Sequence, residues 1–177
     1  CKALVRNWES FARLGVHSIA APMSFLTTVK LDYPVSLGAY RFPRKPAEPM
    51  VVHMVHVPLA PNQGHDARDQ CRMGRHWLLA TPFEDIERTI RSDLQRMLSP
   101  GGFDAGRDIL AITVNRWSHG YSYYWNSLYD DVDAGETAAE AAKKPIGNIA
   151  FANSDTGWDA YAHAALAEAT RAAREIG

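Results

Sequence analysis

Cysteine is nearly absent from this 177-residue chain: only Cys1 and Cys71 occur. Two thiols are too few for a disulfide scaffold, and neither stands in a C-x-x-C or other metal-ligand spacing, so both read as ordinary thiols. No apolar run reaches the ~20 residues of a membrane helix, which excludes a helical span. Net charge is lacking too, at a formal −1 with a sequence pI near 6.7. That balance excludes a protein whose main task is to hold nucleic acid by phosphate contacts. No internal repeat or low-complexity tail is present. His53 and His56, three apart in the strand-like MVVHMVHV, point to opposite faces and cannot share ligation, so no metal is expected. The start lacks a secretory or transit pattern, and residue 1 is Cys rather than Met. The expectation is a soluble chain that begins inside a longer polypeptide, with its compartment unreadable.

What is present suits one ordinary domain with a real core: 46% of the residues are apolar. NWESFARLG, residues 7–15, reads as a short helix stopped by Gly15. HSIAAPMSFLTTVKLDYPVSLGAYRF reads as two strands meeting near Asp32 to Pro34, and RFPRKPAEP as an extended surface connector. MVVHMVHV, 50–57, is a strand by β-branched content. TPFEDIERTIRSDLQRMLSPGG carries the clearest helix pattern. Thr81 and Glu84 are spaced as a capping box, Pro82 takes the first helical position, and Phe83, Ile86, Ile90, Leu94 and Met97 form one stripe. ILAITVNRW, 109–117, reads as a buried strand and AGETAAEAAKKP, 134–145, as a polar connector. The order implies an α+β class, a mixed sheet flanked by helices, with α/β layering as the alternative.

The most informative stretch is FANSDTGWDAYAHAA, 151–165, after the strand-like IGNIAF. Trp158, Tyr161, Ala162, Ala165, Ala169, Ala172 and Ile176 fall on one small apolar helical face, and Asp155 or Thr156 is a competent N-cap. Asp155 thus either caps its own helix or belongs to a helix start that faces an anionic or carbonyl-bearing ligand. Spacing alone leaves both open.

IGNIAFANSDTGWDAYAHAALAEATRAAREI resembles the C-terminal segment of flavin-dependent amine oxidases. There, a strand ending in Phe-Ala-Gly-acid leads through a turn carrying Trp into a small-residue helix ending Arg-Ala-Ala. Phe151, Ala152, Asp155, Trp158, Ala165 and Arg171-Ala172-Ala173 match, while Asn153 stands at the usual Gly. RNWESFARLGVHSIAAP, KLDYPVSLGAYRFPRKPAEPMVVHMVHVP, GRHWLLATPFEDIERTIRSDLQRML and GGFDAGRDILAITVNRWSHGYSYYWNSLYD extend the likeness over nearly the whole chain, toward the spermidine dehydrogenase-like branch.

The resemblance implies FAD as cofactor, a small-molecule amine of polyamine type as substrate, and a substrate domain (1–145) followed by a strand and helix (146–177) that return to the flavin. It implies cofactor contacts from Asn153, Ser154, Asp155 and Trp158, with backbone N–H groups of Ala160, Tyr161 and Ala162 at the pyrimidine edge. In NRWSHGYSYYWN, Tyr121, Tyr123 and Trp125 alternate and would share a face suited to an alkylamine, with Ser122 and Tyr124 on the other. Lys30 resembles the strand lysine held near the flavin N5, and Lys30, Tyr121 and Tyr123 are the catalytic candidates. Haem occurs in some relatives, but the seven histidines offer no axial pair. No G-x-G-x-x-G follows a strand, so the dinucleotide motif is expected in a missing N-terminal portion, the chain's implied partner. Two alternatives stay open: a cofactor-free binding subunit of the same fold, and a flavoenzyme acting on an amino acid, for which Arg116 is the nearest arginine.

Overall fold

The computed structural model describes residues 1–60, 63–123, 125, 128 and 130–176. The chain divides into two compact units, Cys1–Ser118 and His119–Gly177.

The first unit is a five-stranded antiparallel sheet with helices. Its strands are β1 (Lys2–Val5), β2 (Ser18–Ala20), β3 (Thr28–Leu31), β4 (Met50–Val55) and β5 (Ile109–Thr113), in the order β2-β3-β4-β1-β5. Strict alternation on β4 sends Met50, Val52 and Met54 to one face. That face carries the core together with Ala3, Val5 and Val29 and with Ile86, Ile90, Leu94 and Leu98 of α3 (Phe83–Leu98). The helical stripe is therefore the one the sequence shows, except that Leu98 closes it while Phe83 and Met97 sit at its margin. Buried Asp93 of α3 accepts the Leu26 N–H at 2.9 Å and pairs with Arg96 at 2.7 Å, which ties the β2–β3 turn to the helix. α1 (Glu9–Leu14) closes on Gly15 at φ 69°, where a left-handed turn suits glycine. α4 (Ala105–Asp108) ends at buried Asp108, whose carboxyl is held below its usual range by the Arg107 hydrogen bonds.

Several elements differ from the sequence expectations. β2 and β3 meet through residues 21–27, not near Asp32 to Pro34: Pro22 lacks an N–H, and the Leu26 N–H goes to Asp93. Thr81 makes no capping box. Its Oγ1 donates to the Trp77 carbonyl at 2.7 Å and closes α2 (Ala67–Ala80) instead, and no side chain caps α3. α2, which breaks the sequence pattern with Gly74 and many polar residues, starts on Asp66, whose carboxylate accepts the Asp69 N–H at 2.8 Å. β5 is an edge strand rather than a buried one, with Leu110 50% exposed.

The second unit contains α5 (Val132–Lys143) and α6 (Ala162–Ile176) and no sheet strand among its described residues. The AGETAAEAAKKP connector is α5: Asp131 caps it through the Ala134 N–H at 3.1 Å, and its alanines supply helix propensity. IGNIAF is no strand of the sheet; Ile146 and Ile149 bridge each other across a tight turn at Gly147, φ 59°. The junction after it is likewise not strand to helix at once. Residues 153–161 form a run of turns, and α6 begins only at Ala162, so Asp155 caps nothing. The face that α6 buries is Ala164, Glu168 and Ala172, four apart, rather than the face through Tyr161, Ala169 and Ile176. No described helix is long and apolar enough to cross a membrane.

Candidate functional site

The turn between Phe151 and α6 is built from its own side chains. Asn153 Oδ1 accepts the Thr156 N–H at 2.9 Å while its carbonyl accepts the Thr156 hydroxyl at 2.7 Å. Asn at that position thus has a mechanical role that Gly could not fill, an Asx turn that folds the chain back on itself. Trp158 and Asp159 donate their N–H groups to the carbonyls of Asp155 and Ser154. Trp158 is the one non-glycine among the described residues with positive φ, 48°. Its indole lies directly against α5, where a Cβ on Gly135 would fall 1.9 Å from the ring. A bulky residue in that backbone region costs of order 1 kcal/mol or more, and packing on bare glycine is what holds it there.

An ionic cluster fixes the turn to both helices. Arg171 donates to Glu168 at 2.8 Å, to Glu175 at 2.6 Å, and to the carbonyl of Phe151 at 2.5 Å. Thr156 Oγ1 lies 3.2 Å from the Glu168 carboxylate, and Lys143 of α5 stands 3.7 Å from it. Burial pushes the Glu168 carboxyl up, but the Arg171 hydrogen bond, the Lys143 charge and the Thr156 contact outweigh it and leave the group below its ordinary value. Glu168 is therefore an ionised group inside the unit, and the conspicuous Arg171 is its partner.

Between α5 and the turn lies a cavity of about 420 Å3 lined by Trp125, Trp158, Glu136, Glu140, Lys143 and Asp159. Glu136 and Glu140 are four apart on one helical face, so both look the same way. Lys143 answers Glu140 at 2.7 Å, which leaves the lining net negative. Asp159 Oδ1 is buried with no hydrogen-bond partner among the described residues, while its Oδ2 is 3.2 Å from the exposed His163 imidazole. Two indoles beside carboxylates make a site for a cation with an apolar body, held by cation–π attraction and charge pairing.

The sequence-derived candidates are distributed as follows. Trp125 and Trp158 meet in this cavity. Ser154 hydrogen-bonds Ser122, which brings the aromatic stretch to the turn. Tyr123 donates to Asp130 at 2.6 Å, whereas Tyr121 is 88% exposed. Asp155 is exposed and Ala160 half-buried; Tyr161, exposed, stacks on His163 with centroids 5.7 Å apart. Ala162 is the first residue of α6, and the N–H groups of Ala160, Tyr161 and Ala162 make no backbone hydrogen bond among the described residues. Tyr124 lies outside the described residues. Lys30 belongs to the first unit, on β3, where its ammonium sits 4.6 Å over the Tyr33 ring and 3.3 Å from that hydroxyl. Arg116 donates to the Leu78 carbonyl at 3.0 Å and is engaged at the end of α2.

Sequence reasoning missed Glu136, Glu140, Asp159 and Glu168. The i, i+4 pair of glutamates was a readable signal, hidden because α5 had the composition of a connector.

The N–H groups from Ala160 to Ala162 thus stand at the start of α6, where a helix leaves its first donors without intrahelical partners. No curated protein matches the chain. The family model for flavin containing amine oxidoreductase matches residues 70–177, from within α2 through the core helix α3, the aromatic stretch and the cavity to the terminal turn and helix. With a match over more than half its length, the chain belongs to the flavin containing amine oxidoreductase family.

Proposed function

We propose that this chain is the C-terminal part of an FAD-dependent oxidoreductase of the spermidine dehydrogenase-like branch, oxidising the C–N bond of a polyamine-like substrate. The observation that carries this reading is the cavity of Trp125, Trp158, Glu136 and Asp159: indole faces and surplus carboxylates are what a chain with several ammonium groups requires. In this reading residues 1–145 supply the substrate domain and 146–177 the return to the flavin, with the dinucleotide-binding portion as partner upstream.

Asn153, Ser154, Asp155 and the N–H groups of Ala160, Tyr161 and Ala162 are the residues assigned to hold the cofactor. The backbone donors among them would stabilise the negative charge that grows on the flavin ring when it is reduced. Bound FAD supplies the acceptor for the hydride equivalent that leaves the carbon beside nitrogen. The protein's own work is to bind and orient: Trp125, Tyr121 and Tyr123 would bracket the alkyl chain, and the carboxylates would hold distal ammonium groups. Imine hydrolysis then gives aldehyde and amine.

An absorption spectrum of the purified natural protein, with its mass measured beside it, tests the proposal. A flavin band on a longer polypeptide, bleached by added spermidine without oxygen, is the expected result. A colourless protein that stays colourless with FAD would overturn it and leave the cofactor-free binding subunit.

A further inference from the structure

The first unit holds a second cavity, of about 380 Å3, whose residues have no part in the flavin reading. It lies between Phe25 of the β2–β3 turn, residues 56–60 after β4, and α2, at the lower end of the size range of small-ligand sites. Three rings shape it. Phe25 and His56 stack with centroids 3.9 Å apart and 15° between planes, and Trp77 meets His56 edge-on at 5.1 Å. Leu59 and Met73 add apolar walls. The cavity is preformed: a Cβ on Gly74 would fall 1.9 Å from the Pro58 carbonyl, so α2 and the segment after β4 are in contact through bare glycine.

The polarity of the site rests on one ring. His56 Nδ1 lies 2.7 Å from the Phe25 carbonyl oxygen. A carbonyl only accepts, so Nδ1 carries the proton and Nε2 of the neutral ring keeps its lone pair. Burial pushes the imidazole below its ordinary value, against the opposing hydrogen bond to Phe25 and the charge of Asp93. The charge that acts on the ring comes from Asp93 of α3, itself paired with Arg96, whereas the side chains that α2 and the turn present to it, Met73, Trp77 and Phe25, carry no charge. His56 is thus neutral at pH 7, and Nε2 is an acceptor with no hydrogen-bond partner among the described residues.

The lining also states what fits. Among the described residues it contains no ionised side chain, and Gln63 and the Trp77 indole N–H are its other polar groups, so an ammonium or carboxylate would lose its hydration without a counter-charge. A flat aromatic body meets the ring edges and the Met73 sulfur favourably. We propose that this cavity binds a neutral aryl alcohol, with the phenolic O–H donating to His56 Nε2 and the ring lying against Trp77 and Phe25.

The inference stands independently of the flavin reading, and its test needs no turnover. The 177-residue chain is titrated with phenol, anisole, benzoate and benzylammonium, following the His56 imidazole and Trp77 indole resonances by NMR. Phenol is expected to saturate and to move both signals together. Anisole, which lacks the donor, should bind at least about fivefold more weakly, the size of one neutral hydrogen bond, and both ions more weakly still. Saturating phenol should lower the His56 pKa further, since it binds the neutral ring, and its affinity should fall as pH drops from 6.5 through that value. His56→Phe keeps the stacking and should reduce phenol to the anisole level. Equal binding of phenol and anisole, tighter binding of either ion, an unmoved His56 pKa, or no saturable shift would each overturn the proposal. Should His56→Phe not fold, the phenol to anisole ratio and the pKa displacement decide on the unaltered chain.

Discussion

The two units are held together by different physics. In the first, one contiguous apolar cluster runs from β1 through β4 to α3, and the buried charges Asp93 and Asp108 are side features of it. In the second, the buried apolar residues among those described are Ala164 and Ala172, and Thr156 and Glu168 are buried beside them. Alanine offers little area to bury, so the second unit depends on hydrogen bonds and ion pairs whose net worth is modest and geometry-dependent. A sheet core tolerates neighbours that move; a polar cluster keeps a particular shape only while every member is present. The difference places the candidate chemistry in the unit with the smaller apolar reserve.

Four perturbations would break or sharpen this contrast, each read by residue-level hydrogen exchange on the whole chain. Leu94→Ala empties a fully buried site against the sheet and should cost about 2 to 5 kcal/mol, with protection lost throughout the first unit. If the second unit lost protection to the same degree, the two would be one cooperative body. Gly135→Ala should cost the second unit about 1 to 3 kcal/mol, because the new methyl meets the Trp158 ring at 1.9 Å and one of them must move. Glu168→Gln removes the charge that Arg171 and Lys143 surround, an expected loss of about 1 to 3 kcal/mol confined to α6 and the turn. Asp155→Ala should leave stability within about 0.5 kcal/mol, since the residue is exposed and caps no helix. If flavin retention in the natural protein falls with that substitution, its role is at the cofactor and not in the fold.

Acid separates the units as well. His53 and His56 are both lowered by burial, so the unfolded chain takes up protons near pH 6.5 before the folded one does. The first unit should lose stability as pH falls below 6.5 toward those lowered values. Glu168 is also lowered, from an ordinary 4.5, so its contribution is complete above that value and lost as pH falls through the folded one. Thermal melts between pH 7 and 5 should therefore weaken the first unit ahead of the second. The reverse order would contradict the assignment of these groups.

Legibility followed the same division. α3, α1 with its Gly15 stop, and β4 were readable because their patterns are local: a 3.6-residue stripe, a left-handed glycine, a β-branched run. The β2–β3 turn was misplaced because its determinant, Asp93 accepting the Leu26 N–H, lies 67 residues away. Thr81 and Glu84 have capping-box spacing, yet the Thr81 hydroxyl serves the preceding helix, whose existence the sequence pattern did not disclose. At the candidate site, Trp125 and Trp158 were found through the family likeness, and the structure brings them to one cavity. Asp159 and Glu168 were not found, since a carboxylate's importance here comes from burial, and burial is a tertiary property.

Arg171 has a bearing on the order in which the molecule is made. It binds the carbonyls of Phe151 and Lys143 and, within its own helix, the carboxylate of Glu168, so two segments that precede α6 wait on this one residue. Before Arg171 is in place, the turn that carries Trp158 has its own Asn153–Thr156 hydrogen bonds and its packing on Gly135, but not the ties to Phe151 and Lys143. The cavity is consequently complete only once Arg171 has joined α6 to the end of α5 and to Phe151.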